Sequence, residues 1–337
     1  MKKIIVFLLL FVFLFALSGC IRSPEKQEDI AKETIPSQDE KAEISDAPVK
    51  PIKIATLAGP TGMGLIGLIN DESGKYEVEI LTQPDQLSPK IINGEVDIAT
   101  IPSNLGAVLY NKMGGGISVI AVNTTGVLYL VSSEGEISSL DDIAEKTIVS
   151  SGQGASPEYV LTRILEENSV DAKVEYLPAH ADLSNAMAAG DVSLGLLPEP
   201  FVSITLAKNP DLSVVLDLND EWQRIYGQGV EIPMGIAVVS NEFLEENPEG
   251  LENFISDYKL SVEYVNGNIE SAAEDIAAAG LLPKATIAKL AIPRSSITFV
   301  MGKKSKDMLE EFFGVLFESN PKSVGGDLPG EEFYYRK

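Results

Sequence analysis

Two glycine-rich turns offer the first chemistry in this sequence. Gly59-Pro60-Thr61-Gly62-Met63-Gly64 and Ser151-Gly152-Gln153-Gly154-Ala155-Ser156-Pro157 each follow a β-rich run and precede a helical stretch. Turns of this kind leave backbone N–H groups free at a helix N-terminus, where they can cradle a carboxylate, sulfonate or phosphate. That nominates Gly59, Thr61, Gly62 and Met63 on one side, and Gly152, Gln153 and Ser156 on the other. A purely structural turn is the competing reading at both places. The first turn is not a Walker A loop, because no Gly-Lys-Ser/Thr follows. Gly62-x-Gly64-x-x-Gly67 spells a dinucleotide pattern, but its acidic partner on a second strand is not evident. Pro102-Ser103-Asn104 adds two polar residues after a third strand; Ser103 suits a helix cap, and Ser103 and Asn104 could both reach a ligand. Asn123-Thr124-Thr125 supplies an amide and two hydroxyls after a fourth strand, of which Thr124 and Thr125 are taken as ligand contacts. Glu199, between Pro198 and Pro200, could pair with an amine, an amidine or a protonated pyrimidine, or serve as a structural carboxylate. His180 could stack on or bond a ligand, but fits a helix cap more simply. Trp222 and Tyr226, four residues apart, fit packing within a helix.

Composition removes several classes of function. One His and one Cys exclude an HExxH site, a multi-His metal site, a cysteine zinc site and an intramolecular disulfide. No metal and no cofactor is expected. Acidic residues number 50 against 26 basic ones, a net charge of −24, which argues against nucleic acid as a partner. Few basic residues fall near the turns; Lys90, Arg163, Arg224 and Arg294 read as lying on helices or away from them. The 337 residues, 45% hydrophobic, are enough for two domains or one large one with a sizeable core.

The elements that would position these residues alternate. Strands are expected at 52–57, 76–82, 96–101, 117–123, 127–132, 147–150, 173–177, 192–197, 213–216 and 234–240, with helical segments between them. After residue 240 the pattern turns helical, over 248–266, 269–279, 284–290 and 305–318. This alternation predicts an α/β fold with mostly parallel pairing. Both glycine turns lie at the carboxyl end of a strand, where open α/β sheets bind ligands. Two α/β lobes with a ligand cleft between them follow.

The N-terminus reads as a leader. Lys2 and Lys3 precede an apolar run from Ile4 to Leu17, too short for a comfortable membrane span. The run ends in Leu17-Ser18-Gly19-Cys20, which resembles the bacterial lipoprotein lipobox. The resemblance implies removal of residues 1–19, lipidation of Cys20 and an anchor on the extracytoplasmic face of the cell membrane. Residues 20–50 would then be the lipidated Cys and a flexible linker, with a reach of about 30 Å.

Further motifs carry a second resemblance. Ile92-Asn93-Gly94-Glu95-Val96-Asp97-Ile98-Ala99, Ser139-Leu140-Asp141-Asp142-Ile143-Ala144-Glu145-Lys146-Thr147-Ile148, Ala189-Gly190-Asp191-Val192 and Pro198-Glu199-Pro200-Phe201 occur in that order. In order and spacing the chain resembles a type II periplasmic (extracytoplasmic) substrate-binding protein of an ABC importer. The branch is the one that handles nitrate, sulfonates, taurine and thiamine-pyrimidine precursors. The resemblance implies a two-lobed type II periplasmic-binding-protein fold. One lobe would be 51–128 with 236–337 and the other 129–235, hinged near Val127–Leu130 and Pro233–Ile236. It implies a monomer without catalytic activity that captures a small solute and delivers it to a membrane permease and its ATPase subunit. An extracytoplasmic sensor domain is the alternative. A metabolic enzyme on the same fold is a further one, against which the lipobox weighs.

Overall fold

The computed structural model describes residues 50–135 and 137–336. The stretch read as an apolar leader, Cys20 and all but the last residue of the stretch read as a linker lie outside the described residues. The described chain opens with β1 (Ile52–Leu57), the short helices α1 (Pro60–Met63) and α2 (Ile66–Ile69), β2 (Tyr76–Leu81), α3 (Pro84–Ile92), β3 (Ile98–Pro102), α4 (Ser103–Met113) and β4 (Ile117–Thr125). It continues through β5 (Leu128–Ser132), β6 (Thr147–Ser151), α5 (Ser156–Glu167), β7 (Lys173–Leu177), α6 (His180–Ala189), β8 (Leu194–Pro198), α7 (Phe201–Lys208), β9 (Ser213–Asp217) and α8 (Leu218–Tyr226). It returns through β10 (Pro233–Ser240), α9 (Asn241–Glu246), α10 (Pro248–Gly267), α11 (Ile269–Ala278), α12 (Ala285–Ala291), β11 (Ile297–Met301) and α13 (Gly302–Ser319).

Two sheets result, one per lobe. The first has the order β11-β4-β10-β3-β1-β2 and the second β7-β6-β8-β5-β9. The expectation of mostly parallel pairing needs correction. β1 pairs in parallel with β2 and β3, and β6 with β7 and β8, but β10, β11 and β5 all pair antiparallel with their neighbours. The physical reason is the crossing: the chain leaves the first sheet along β4, and β10 brings it back to lie against both β3 and β4. β11 was also missed. Its five residues are mostly half-buried at a sheet edge and show no clean alternation. The helical segment expected between the strands at 127–132 and 147–150 is only a short 3-10 turn, Leu140–Ile143, capped reciprocally by Ser139 and Asp142.

Local chemistry explains the elements that matter most. All nine residues of β4 are buried, as befits a strand flanked on both edges and covered on both faces. α10 starts where Asn247 accepts the Gly250 N–H at 2.9 Å, and it buries Leu251, Phe254, Ile255, Tyr258, Ser261, Val262 and Val265 along one stripe. α13 buries Met308, Leu309, Phe312, Phe313, Val315 and Leu316 in the same manner. One apolar cluster runs through both lobes: Val122, Ile236, Leu309 and Phe312 share it with Leu128, Ile164, Leu216 and Trp222.

The acidic, aromatic C-terminal stretch packs on the first lobe. The Tyr335 N–H donates to Val119 O at 3.0 Å, and Ser118 Oγ donates to Glu332 O at 3.0 Å. Asn111 Nδ2 holds the carbonyls of Val324 and Asp327, and Phe333 is fully buried beside Tyr110 and Phe313. Among the described residues no helix is long and apolar enough to cross a membrane.

Candidate functional site

The carboxyl ends of β1, β3 and β4 converge with the start of β10, and polar side chains meet there. Thr56 and Thr100, both fully buried on paired strands, bring their hydroxyls within 2.5 Å of each other. In the turn after β1, Gly59 has φ 101, a conformation that favours glycine. The turn satisfies itself. The Gly59 N–H donates to Leu281 O, and the Gly62 and Met63 N–H groups both donate to Gly59 O. A side chain at Gly62 would stand 2.5 Å from Leu57 O, so only glycine fits. Met63 was nominated for the backbone N–H of this turn; its side chain lies fully buried in the apolar core with Leu65 and Ile66, because α1 turns inward there. Ser103 is buried, and its hydroxyl donates to Pro233 O at 2.6 Å, tying the β3–α4 junction to the returning crossing. Asn104 is half-buried.

Asn123 sits on a β-bulge. Thr124 pairs with Gly235 and Val122 with Ile236, which leaves Asn123 without an opposite residue. Its Nδ2 donates to Thr61 O at 3.0 Å and to the Tyr258 hydroxyl at 2.9 Å. A carbonyl only accepts, so the Thr61 contact fixes which amide atom is nitrogen. Asn123 Oδ1 and Thr124 Oγ1 are buried without a partner. A Cβ on Gly235 would come within 2.4 Å of that Oδ1, so glycine is required opposite the bulge. Replacing Asn123 with alanine is expected to free the Thr61 carbonyl and the buried Tyr258 hydroxyl together. The cost should be about 1–3 kcal/mol, read by urea unfolding; no change would remove Asn123 from this role.

The crossings are short. The Thr125 N–H donates to Ser296 O, and the Gly126 N–H to Ile232 O at 2.9 Å. Gly126 and Val127 both have positive φ, 68 and 67, and for a β-branched residue this is strained backbone. Asn219 lies against Gly126 and accepts the Ile232 N–H at 2.9 Å, so one side chain steadies both crossings.

The second lobe contributes an imidazole and a carboxylate. Ser151, the last residue of β6, places Oγ 2.5 Å from His180 Nδ1 at the start of α6. Burial holds the His180 pKa below its ordinary value, so the ring is neutral at neutral pH. Its ring centroid lies 5.5 Å from that of Phe201. Gly152 and Gly154 take φ 80 and 77, Gln153 is exposed, and Ser156 is buried at the first position of α5. The Gly154 N–H is accepted by the Glu158 carboxylate. Glu199 is 3% exposed and precedes a cis peptide to Pro200. Its carboxylate accepts the Ser203 hydroxyl at 2.9 Å and the Ser203 N–H at 3.2 Å, which caps α7. Burial pushes its pKa up to about 7, opposed by those two hydrogen bonds and by Arg294.

Arg294 was read as lying away from the site, and that is corrected. Its Nη1 is 3.9 Å from Glu199 Oε1, and its carbonyl accepts the Tyr129 hydroxyl at 2.8 Å, so it joins the lobes twice. Sequence reasoning missed it because only the placement of α12 and β11 brings it there. Gly59 faces the same turn, with Pro200 Cδ 3.8 Å from where its Cβ would be. A chain of contacts thus runs from Gly59 to Pro200, and through Phe201 and His180 to Ser151. Tyr129, Ser151, His180 and Arg294 join the residues nominated from sequence. His180 was noticed but set aside as a cap, and Ser151 is visible only as part of the turn. Trp222 is fully buried against Tyr226 and Phe312, as its spacing predicts. Among the described residues no group of His, Cys, Asp and Glu could hold a metal ion.

Comparison with known proteins follows the same lines. A family model described as menaquinone biosynthesis matches residues 43–318. No curated protein matches the chain. Among solved structures, an ABC transporter protein from Parabacteroides distasonis is 24% identical with a TM-score of 0.75, covering 86% of this chain and 100% of its own. The periplasmic aliphatic sulphonate binding protein of Escherichia coli is 16% identical with a TM-score of 0.64, covering 86% and 97%. The periplasmic nitrate-binding protein of Synechocystis is 10% identical with a TM-score of 0.56, covering 82% and 84%. The two sheets, the paired crossings and these likenesses make the fold that of the two-lobed type II periplasmic binding proteins, and the chain belongs to the family described as menaquinone biosynthesis.

Proposed function

We propose that this chain is the solute-binding component of an ABC importer, anchored outside the cytoplasm by a lipid on Cys20. It would capture a small organic solute between its lobes and hand it to a membrane permease and its ATPase. The observation that carries this reading is the pair of short crossings. The chain crosses between the two sheets at Gly126–Val127 and at Ile232–Pro233, and polar atoms at that end of the first sheet are unpartnered. The fold is shared with structures whose names are those of importer binding proteins, which supports the same assignment. Closure couples solute binding to the balance between open and closed lobes.

The test is a thermal-shift screen of the full chain in detergent against amines, pyrimidines, sulfonates, anions and vitamin precursors. A solute at about 100 times its dissociation constant should stabilise the fold by about 2.7 kcal/mol. X-ray scattering should then show the lobes closing. A fold that no solute stabilises or closes would sink the proposal.

One pair of residues favours a second reading. Ser151 and His180 have the types and the spacing of a hydroxyl and its base, and the family description names a biosynthetic route. A catalytic role would show as conversion of the bound solute, followed by mass spectrometry and lost in His180→Gln. A binding role leaves the solute intact.

A further inference from the structure

Type II clefts that take anions need positive charge or free N–H groups in their turns. Here the turns supply no positive charge of their own. None of the segments 58–64, 102–104, 123–127, 151–156, 178–180 and 198–203 contains a lysine or an arginine. Arg294, the basic residue that reaches the lobe boundary, faces Glu199 and also donates to Leu290 O at 3.0 Å.

Five of the N–H groups placed to cradle an anion are taken by the chain itself. In the turn after β6, Gly154 N–H is taken by Glu158. At the start of α7, Ser203 N–H is taken by Glu199. In the turn after β1, the N–H groups of Gly59, Gly62 and Met63 end on carbonyls of the protein. The turn after β6 therefore already holds a carboxylate, that of Glu158, and an incoming anion would meet like charge there.

What the site lacks is a donor. Asn123 and Thr124 are each 1% exposed, and Asn123 Oδ1 and Thr124 Oγ1 have no partner. A buried acceptor left unmade is costly, so a solute that supplies a proton to Asn123 Oδ1 gains more than the bond alone, and the Thr124 hydroxyl beside it can accept as well. Oδ1 is acceptor-only, and Asn123 cannot turn its amide without breaking its bond to Thr61 O. The bulge at Asn123 sets both atoms on the Gly235 backbone, where no side chain intervenes. On the facing lobe, His180 is a neutral imidazole with only Nδ1 engaged.

We infer that the cleft selects a solute without negative charge that presents N–H or O–H donors, received by Asn123 Oδ1 and Thr124 Oγ1, and that it rejects nitrate and sulfonates. This inference rests on the solute-binding reading and narrows its substrate class.

The test uses the full chain in detergent at neutral pH, by thermal shift and calorimetry. The uncharged probes are cytosine, nicotinamide and N-acetylglucosamine; the anionic ones are nitrate and ethanesulfonate. At least one uncharged probe should bind, and neither anion should. Thr124→Val, nearly isosteric, should weaken the bound probe about tenfold or more, the worth of one hydrogen bond left unmade. Undiminished binding in both Thr124→Val and Asn123→Leu overturns the assignment of these atoms. Glu158→Ala, which empties the turn after β6, should let ethanesulfonate bind; continued exclusion counts against the self-blocked turn. Binding of either anion by the unaltered chain overturns the substrate class while leaving the solute-binding reading intact. Silence from both sets of probes overturns the reading and this inference with it.

Discussion

Trp222→Ala should lower unfolding stability by about 3–5 kcal/mol, the range for emptying a large aromatic site in a core. Trp222 is fully buried, with ring centroids 4.4 Å from Tyr226 and 5.9 Å from Phe312. Phe312 belongs to α13 of the first lobe and Trp222 to α8 of the second, so the cavity would open in the apolar cluster the lobes share. Trp222→Phe should behave differently. The indole Nε1 is buried without a partner, a cost that phenylalanine removes while keeping one ring in place. Its net loss is expected below about 1.5 kcal/mol. Urea unfolding followed by circular dichroism separates the two. Equal losses would show that the indole is not held in the way described.

The second large effect concerns pH. The carboxyl of Glu199 titrates near pH 7 in the fold against an ordinary value of 4.5, because burial outweighs the Ser203 hydrogen bonds and Arg294. The folded state therefore holds a proton that the unfolded chain releases between those values. Stability from this group is fully present below about pH 4.5, falls as pH rises through the window and levels off above 7. The change is on the order of 3 kcal/mol. His180 works in the opposite sense. Its pKa is lowered by burial from 6.5, so its contribution is lost as pH falls below that value. Asp217, raised by burial, adds to the Glu199 direction. The measurement is therefore a difference: urea unfolding of the unaltered chain and of Glu199→Gln, from pH 4.5 to 8. Subtracting one profile from the other should leave a slope confined to the window named. Parallel profiles would show that Glu199 carries a proton no more tightly in the fold than out of it.

Much of the architecture was legible because its signals are local. Val96–Ile101 and Met234–Ser240 are apolar runs bounded by turn residues, and they become β3 and β10 within two residues at either end. Gly94 and Gly190 mark helix ends, and both adopt positive φ. Pairing direction was not legible, because nothing within β10 records that it returns from another lobe to lie between β3 and β4. The site divided in the same way. Glu199 drew notice from its two flanking prolines, but its partners Ser203 and Arg294 are four and 95 residues away. The Asn123 bulge depends on register against Gly235, which no spacing within β4 reveals. The scarcity of lysine and arginine near the turns could be read along the chain, whereas Arg294, which tertiary packing brings to Glu199, could not.

The order of strands has a bearing on how the chain is made. β10 lies between β3 and β4 in the first sheet, and β11 closes the edge beyond β4. A growing chain therefore cannot complete that sheet until residues 233–240 and 297–301 have been synthesised. The second sheet is built from consecutive strands between residues 128 and 217, and can assemble while the rest is still being translated. The earlier half of the first lobe thus waits, unpaired along β3 and β4, for the last third of its own polypeptide. A chain moved across a membrane as it emerges would travel with that lobe still open, and would close it only on arrival.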